Sequence, residues 1–564
     1  MTTRKTSPNF MRTALLVLTV LAALKVLFVG FGLDEEYQIV MSYRIAAGDT
    51  MFRTALEPHQ MSSFLCTPLI LLYLALFHTT TGIVLYLRLC GTAIHLGITL
   101  LLMRSLRSSL EEQLCFYLGL LYFNILPKQI ITPEFGIMQV WFLTLFFCCL
   151  RWDRRTEGKS LLPVLLAGLC MAAETLSYPS CVILFPLLLF FLLRRRPAHR
   201  AAAGLTFTAT CLVCGAVYLL FILGGRSLSE LLEVFSFLVA GDATHRIGLG
   251  TRLLRLLRDC GLYALTEGLL FAVSYATELL LAKKRGEEKK IPRMLAVSVF
   301  LACLLQVILW TFAHRGYESF SIYLVHPAVA GLFAGTKLSK AERTDWHEWI
   351  LASLLSLLAV VLLTDLGLTE SIPHGLLGAL AGVVLYWNVS RRSSEQGSLP
   401  AARAALIVLC LTAIFGKGYT LRGGSHQSIL EVRNIMKHGP AIGIFSDYMC
   451  AHIYNCNWED WQENVSEGDR VLVVVDTVMA PGTIQYLYKP VECSHFSVVN
   501  PTVYDERLER YWEQHPEKRP NVIITDCWFG TPVNPDNTWI YTYAEENIEP
   551  AGQDGRYIRI YRRD

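Results

Sequence analysis

Charge is the scarcest property of this chain. Lys, Arg, Asp and Glu together make up 17% of its 564 residues, with a balance of only +3. So small an excess excludes the broad basic surface that holds nucleic acid. So little charge beside 53% hydrophobic residues also excludes an ordinary soluble globule. No Gly-rich loop of the Walker or dinucleotide-binding type is present, so the two commonest phosphate cradles are missing. No pair among the 16 cysteines has zinc-ligand spacing with histidines nearby. Most, such as Cys148, Cys149, Cys211 and Cys214, lie in apolar runs, where cysteine acts as a small hydrophobe. Cys450, Cys456, Cys493 and Cys527 lie in the polar C-terminal part. They are either disulfide partners or free thiols, and order alone does not choose. There is no internal repeat and no low-complexity tract.

Long apolar runs are what the chain has instead. A helix needs about 20 apolar residues to cross a bilayer, and Lys and Arg gather on the cytoplasmic side. The first run, Met11 to Phe31, is too long for a signal peptide and lacks a small-residue cleavage site, so it reads as a retained helix. Arg4, Lys5 and Arg12 at its head place the N-terminus inside. The run Ser62 to Phe77 is short and interrupted by Pro68. The arginines after Gly82 to Met103 fall on the cytoplasmic side only if Ser62 to Phe77 does not cross, so it reads as an interfacial helix. Further crossings are expected over Leu114 to Leu126, Gly136 to Leu150, Leu161 to Leu176, Cys181 to Leu193 and Ala201 to Leu223. Gly261 to Leu281, Met294 to Phe312, Ser321 to Ala334, Ile350 to Leu363, Gly375 to Trp387 and Ala402 to Phe415 complete the set. The fold class is therefore a polytopic α-helical membrane protein of about thirteen spans. Residues 1–422 form the membrane domain, with an outer loop at 32–61.

Residues 423–564 read as a soluble extracytoplasmic α/β domain. Ser428 to His438 has the pattern of an amphipathic helix. Ala441 to Ser446, Arg470 to Asp476 and Asn521 to Asp526 read as strands, and Asp505 to Gln514 as a helix. Tyr557 to Tyr561 alternates like an edge strand. Strands alternating with helices imply a largely parallel sheet.

The chemistry-bearing residues gather on the outer side. Asp34, Glu35 and Glu36 follow the first helix. Glu36 to Ala47 carries Tyr37, Val40, Met41 and Ile45 at helical spacing, so it can lie along the membrane surface. Gly48-Asp49 and Glu57-Pro58-His59 come next. This organisation resembles the GT-C superfamily of lipid-dependent glycosyltransferases, in particular the family 39-like branch of protein O-mannosyltransferases and aminoarabinose transferases. The resemblance rests on the acidic pair after helix one, the interfacial helix ending at Gly48-Asp49, and the Pro-containing stretch from Glu57-Pro58 to Pro68. Weaker support comes from Leu176-Ser177-Tyr178-Pro179-Ser180, and from His314-Arg315-Gly316-Tyr317 followed by Tyr323 to Pro327. One departure stands out: Gln139 is near the place where many relatives carry a further acid, and Glu134 is the nearest carboxylate.

The resemblance implies transfer of a sugar from a polyprenyl phosphate to an acceptor hydroxyl. A hydroxyl is a poor nucleophile near neutral pH, and a carboxylate beside it can take the proton as the bond forms. Asp34 is the expected base, with Glu35 assisting. The departing lipid phosphate needs cations on the outer face. Lys128, His314, Arg315 and Arg246 are the candidates, each with lipid-headgroup snorkelling as the plain alternative. Glu57, His59, Glu134, Glu174, Tyr178 and Tyr317 are the expected substrate contacts. Glu174 lies inside an apolar run, where a carboxylate marks function by default or bonds a neighbouring helix. No cofactor is expected, and a divalent ion at His59 is the disfavoured alternative. His452, Asp476, Cys493, His495 and Asp526 have no catalytic spacing, and the C-terminal tryptophans read either as core or as a stacking platform. The expected partners are the donor lipid, membrane lipids, and a cell-envelope glycan, lipid or protein as acceptor. Two rivals remain: a transporter of lipid-linked sugar, and an inactive scaffold whose α/β domain binds. The location expected is the bacterial inner or plasma membrane.

Overall fold

The computed structural model describes residues 8–52, 61–196, 198–224, 228–229, 231–232, 248–286, 290–312, 320–364, 366–393, 398–421, 429–474, 482–494, 506–528, 531–532, 538–548 and 557–563. The fold class read from the sequence is the one observed: a bundle of apolar helices followed by a small α/β unit. The chain is an integral, multi-pass membrane protein. Among the described residues nine helices are long and apolar enough to cross a bilayer. They are α1 (Pro8–Phe28), α4 (Ile83–Leu106), α6 (Phe135–Arg155), α9 (Arg200–Leu223), α10 (Leu249–Arg285), α11 (Ile291–Phe312), α13 (Lys340–Leu363), the pair α14 (Leu368–Ser371) and α15 (Leu376–Arg392), and α16 (Ser398–Tyr419).

Four expected crossings form shorter helices. These are α5 (Glu112–Asn124), α7 (Leu162–Ser177), α8 (Phe185–Arg195) and α12 (Ile322–Gly335), of 13, 16, 11 and 14 residues. Proline explains the first three. Pro127 and Pro179 start 3-10 turns just past the ends of α5 and α7, because a proline ring cannot continue an α-helical ladder. Close backbone approach holds α12 in place. A Cβ on Gly331 would overlap the Gly382 carbonyl of α15, so the two helices cross at a contact that only glycine permits.

Arginines mark one end of the bundle. Arg154 and Arg195 both pair with Asp345, Arg194 and Arg195 with Glu348, and Arg196 with Asp153. The acidic loop lies at the other end. There α2 (Leu33–Ala46) and α3 (Met61–Phe77) pack side by side, with Ser62 Oγ donating to Gln38 Oε1 at 2.8 Å. Phe64, near the start of α3, touches Tyr218 and Phe221 at the end of α9, and the Tyr73 hydroxyl near its other end donates to the Thr81 carbonyl just ahead of α4. Both ends of α3 are thus at the acidic end of the bundle, as a non-crossing helix requires.

The α/β unit is built on a sheet in the order β4 (Glu492–Cys493), β3 (Arg470–Val474), β5 (Val522–Trp528). These strands are parallel, and β7 (Ile558–Arg562) is antiparallel on β5. The segment expected as the amphipathic helix Ser428 to His438 is instead a 3-10 turn and strand β1 (Asn434–Ile435), paired with β2 (Phe445–Ser446). Pairing with β2 satisfies backbone groups that a short isolated helix would leave open, and the Gly439-Pro440 turn closes the hairpin. Helix α17 (Tyr448–Asn464), capped by the Asp447 carboxylate on Cys450 N, follows. Cys450 and Cys493 are thiols.

A buried ion pair ties the acidic end of the bundle. Glu35 and Arg88 are fully buried; Arg88 Nε and Nη2 reach the two Glu35 oxygens at 2.9 and 2.6 Å. Arg88 Nη1 also caps the end of α1 through the Leu27 carbonyl at 2.9 Å. Leaving one buried charge without its partner costs about 3–5 kcal/mol. Arg88→Met and Glu35→Gln should therefore each sharply lower the thermal midpoint of the protein in nanodiscs. An unchanged midpoint in both would refute the clamp.

Candidate functional site

Three consecutive acids open α2, and each meets a different part of the molecule. Successive residues on a helix point about 100° apart. Asp34 Oδ2 accepts from Lys128 Nζ at 2.7 Å. Glu35 turns into the bundle to Arg88 and also accepts from the Thr132 hydroxyl. Glu36 turns to the α/β unit, where Thr483 Oγ1 and Ile484 N donate to its Oε1 at 2.8 and 2.7 Å. The sequence suggested that α2 lies along the membrane surface. Instead it is wedged between bundle and α/β unit, with Tyr37, Val40 and Met41 buried.

Lys128 comes from a segment without α-helix. Residues 124–134 are buried throughout, and between α5 and α6 the backbone makes only a 3-10 turn. Ile131 lies against Gly91, more than two turns inside α4, so this loop is sunk into the bundle; a Cβ on Gly91 would overlap the Ile131 carbonyl. Irregular backbone at that depth is tolerated only where protein covers it or a cavity is lined. The turn is also strained, since Lys128 and Gln129 have φ of 51° and 57°. A left-handed non-glycine residue costs on the order of 1–3 kcal/mol. Gln129 is held by Thr420 Oγ1 at 3.2 Å, and Lys128 Nζ lies 4.6 Å from the Phe135 ring centre. The result is an almost buried ammonium, 9% exposed, presented to a carboxylate side chain that is still 40% exposed.

Glu134 caps α6, accepting from Gly136 N and Ile137 N at 2.9 Å each. Burial pushes its carboxyl up to about 7, against the pull of Lys128 and of those two amides. Tyr178 stands edge-on to Phe135 and to His374, at 5.3 and 5.4 Å between ring centres. Behind it runs a buried polar chain. Gln139 Oε1 is 2.9 Å from His374 Nδ1, and Gln139 Nε2 donates to Glu174 Oε1 at 3.0 Å and to Ser356 Oγ at 2.6 Å. Asp34, Lys128, Glu134, Glu174 and Tyr178 are therefore linked through one continuous neighbourhood. Glu35 is committed to Arg88 instead. Glu57, His59, Arg246, His314, Arg315 and Tyr317 lie outside the described residues. Among the described residues no group of three or more His, Cys, Asp and Glu side chains could hold a metal ion.

An apolar cavity of about 350 Å³ opens along α7. Thr175 and Leu176, just ahead of Tyr178, line it, together with Met171, Phe185, Leu212 and Tyr218.

No protein-family model and no curated protein matches the chain. Among solved structures it is similar to ArnT from Cupriavidus metallidurans bound to undecaprenyl phosphate. Identity there is 13% and the TM-score 0.42, over 97% of this chain and 98% of that one. It is also similar to the oligosaccharyltransferase AglB from Archaeoglobus fulgidus in complex with an inhibitory peptide and a dolichol-phosphate. Identity there is 11% and the TM-score 0.39, over 92% of this chain and 69% of that one.

Sequence reasoning missed Arg88, Thr132, Ser356 and His374. Arg88 had a signal, being a lone cation inside an apolar run. His374 had none beyond its type.

The Glu36 contact carries a pH dependence. Burial raises its carboxyl from 4.5 to about 7, and the nearby Asp526 adds to the effect. A raised folded-state value means the docked form holds the proton more tightly than the open form. The associated stability is complete below about 4.5 and is lost as pH rises through about 7. Protection of residues 482–494 against hydrogen exchange, taken relative to the intrinsic rate at each pH, should fall between pH 5 and pH 8. Glu36→Gln should flatten that dependence; the same slope in the variant would exclude Glu36 as its source.

Proposed function

We propose that this chain is a membrane glycosyltransferase. In this reading it moves a sugar from a polyprenyl-phosphate donor to a hydroxyl on a cell-envelope glycan, lipid or protein, by single displacement with inversion. The observation that carries it is the Asp34–Lys128 pair, a carboxylate at the start of α2 held 2.7 Å from an almost buried cation on a strained loop. The positive-inside rule supports the orientation: the arginine-rich end is cytoplasmic, and the acidic end with residues 423–564 faces outward from a plasma membrane.

The geometry suits the chemistry. In the free protein Asp34 and Lys128 neutralise each other. The donor phosphodiester carries one negative charge, like the carboxylate, and gains a second as the sugar departs; an arriving donor competes for the Lys128 ammonium and releases Asp34, and the ammonium holds the departing form more strongly. Asp34 then takes the proton of the acceptor hydroxyl while its oxygen bonds to the sugar's anomeric carbon. The bond from that carbon to the phosphate oxygen breaks, and the phosphate leaves with the electron pair beside Lys128. The cavity accommodates the first isoprene units. Glu134 and Tyr178 border the sugar. Arg246, His314, Arg315, Tyr317, Glu57 and His59 are further phosphate and substrate contacts in this reading.

The test is transfer in proteoliposomes with a panel of radiolabelled polyprenyl-phosphate sugars. Wild type should give product, and Asp34→Asn should lose about 10²–10⁴-fold in rate. Lys128→Met should raise the donor KM by roughly 10- to 100-fold, the worth of one hydrogen bond to a charged group. Equal product from wild type and Asp34→Asn would sink the assignment of the base.

A further inference from the structure

The mechanism above leaves one buried group unused. His374 sits on a 3-10 turn, residues Ile372–Gly375, at the head of α15, and is 2% exposed. Its Nδ1 is engaged by Gln139, whereas its Nε2 has no hydrogen-bond partner among the described residues. An unpaired buried ring nitrogen is costly, roughly 1–3 kcal/mol, and such exceptions need a reason.

The hydrogen-bond chain fixes which nitrogen carries the proton. Both N–H groups of the Gln139 amide are spent on Glu174 Oε1 and Ser356 Oγ. Its oxygen therefore faces His374, and an oxygen can only accept. Nδ1 must donate, so in the neutral ring Nε2 is a bare acceptor. The ring carbon next to Nε2 looks toward the start of α6: a Cβ on Gly136 would lie 3.2 Å from His374 Cε1 and 2.8 Å from Glu134 Oε1. The ring face meets Tyr178, which in turn meets the Phe135 ring that carries Lys128 Nζ. The unpaired nitrogen is thus buried near the start of α6, and two aromatic rings, Tyr178 and Phe135, lead from it to Lys128 and Asp34.

We propose that His374 Nε2 is a substrate contact, accepting a hydrogen bond from a hydroxyl of the sugar or of its acceptor, with Gln139 and Glu174 as positioning residues that lock the ring's tautomer. The inference rests on the glycosyltransferase reading and adds a recognition element to it. A phosphate oxygen is not the ligand of this nitrogen, since a bare acceptor needs a donor, and hydroxyls are the donors on both substrates. No proton transfer to His374 is involved; the base remains Asp34.

Two experiments test it. The first needs no turnover. Full-length protein labelled with 15N-histidine is reconstituted in nanodiscs, and the signal absent from His374→Gln is assigned to His374. Nε2 should be unprotonated and Nδ1 protonated; Gln139→Leu should abolish that preference. A protonated Nε2 in the wild type would overturn the proposal whatever the protein's reaction proves to be. The second uses the donor panel. His374→Phe keeps a planar ring, though a larger one, and loses the acceptor, and transfer should fall about 10²-fold. His374→Gln can place an amide oxygen near the Nε2 position and should retain activity within a few-fold of wild type. Full activity in His374→Phe, or equal loss in both variants with Asp34 still essential, would overturn it. No product from the wild type with any donor would count against the glycosyltransferase reading alone, and the tautomer measurement would then decide the nitrogen's state by itself.

Discussion

The acidic end of this molecule depends on the Glu35–Arg88 ion pair. It joins three segments that are separate in sequence: the end of α1, the start of α2, and the second turn of α4. Thr132 adds a fourth, the loop that carries Lys128. Two charges taken out of water repay their desolvation only when geometry is good and the remaining hydrogen bonds are made. Here Arg88 meets both carboxylate oxygens and backbone carbonyls of the α1 terminus, so the pair fixes position as well as charge. With Glu35 pinned inward, helical geometry sends Asp34 toward Lys128 and Glu36 toward the α/β unit. One clamp therefore sets the direction of all three acids.

That arrangement explains why three acids in a row are tolerated beside the hydrocarbon edge. Each has a partner, and none faces lipid alone. It also explains why α2 is less like a surface helix than its pattern suggests. Its apolar residues meet the α/β unit, where Arg44 Nη1 donates to the Val491 carbonyl at 2.8 Å and Asp49 pairs with Lys518 at 3.2 Å. The α/β unit is thus fastened to the helix that carries Asp34.

What could be read from the sequence follows the range of the forces involved. The apolar runs, the arginines that end them and the non-crossing Ser62 to Phe77 segment are local patterns, and the structure has helices at those places. The 3-10 turn after Tyr178 falls at the turn read from Tyr178-Pro179-Ser180, and Pro127 carries the same local signal for the turn after Leu126, which the apolar pattern alone does not show. The roles of Glu35, Gln139 and His374 were not readable, because they are defined by partners far away in the chain: Arg88 for Glu35, His374 for Gln139. Gln139 looked like a lost acid. In the folded chain it is the joint between Glu174 and His374, and an amide suits that joint because it donates at one end and accepts at the other. The helix expected at Ser428 to His438 fails for the same reason, since pairing of β1 with β2 outweighs local periodicity.

A buried non-helical loop in a membrane bundle is expensive, and this chain has one where Lys128 emerges. Its left-handed Lys128 and Gln129, its contact with Gly91 and its tie to Thr420 all resist relaxation into helix. A continuous α5 would satisfy every backbone group internally and would cost less. It would also carry the ammonium along a helix face, where a long side chain reaches for the headgroups. The loop holds the ammonium almost buried against Phe135 and Asp34. Such placement strengthens its field, because charges act more strongly out of water. The strain and the buried cation are thus two sides of one arrangement.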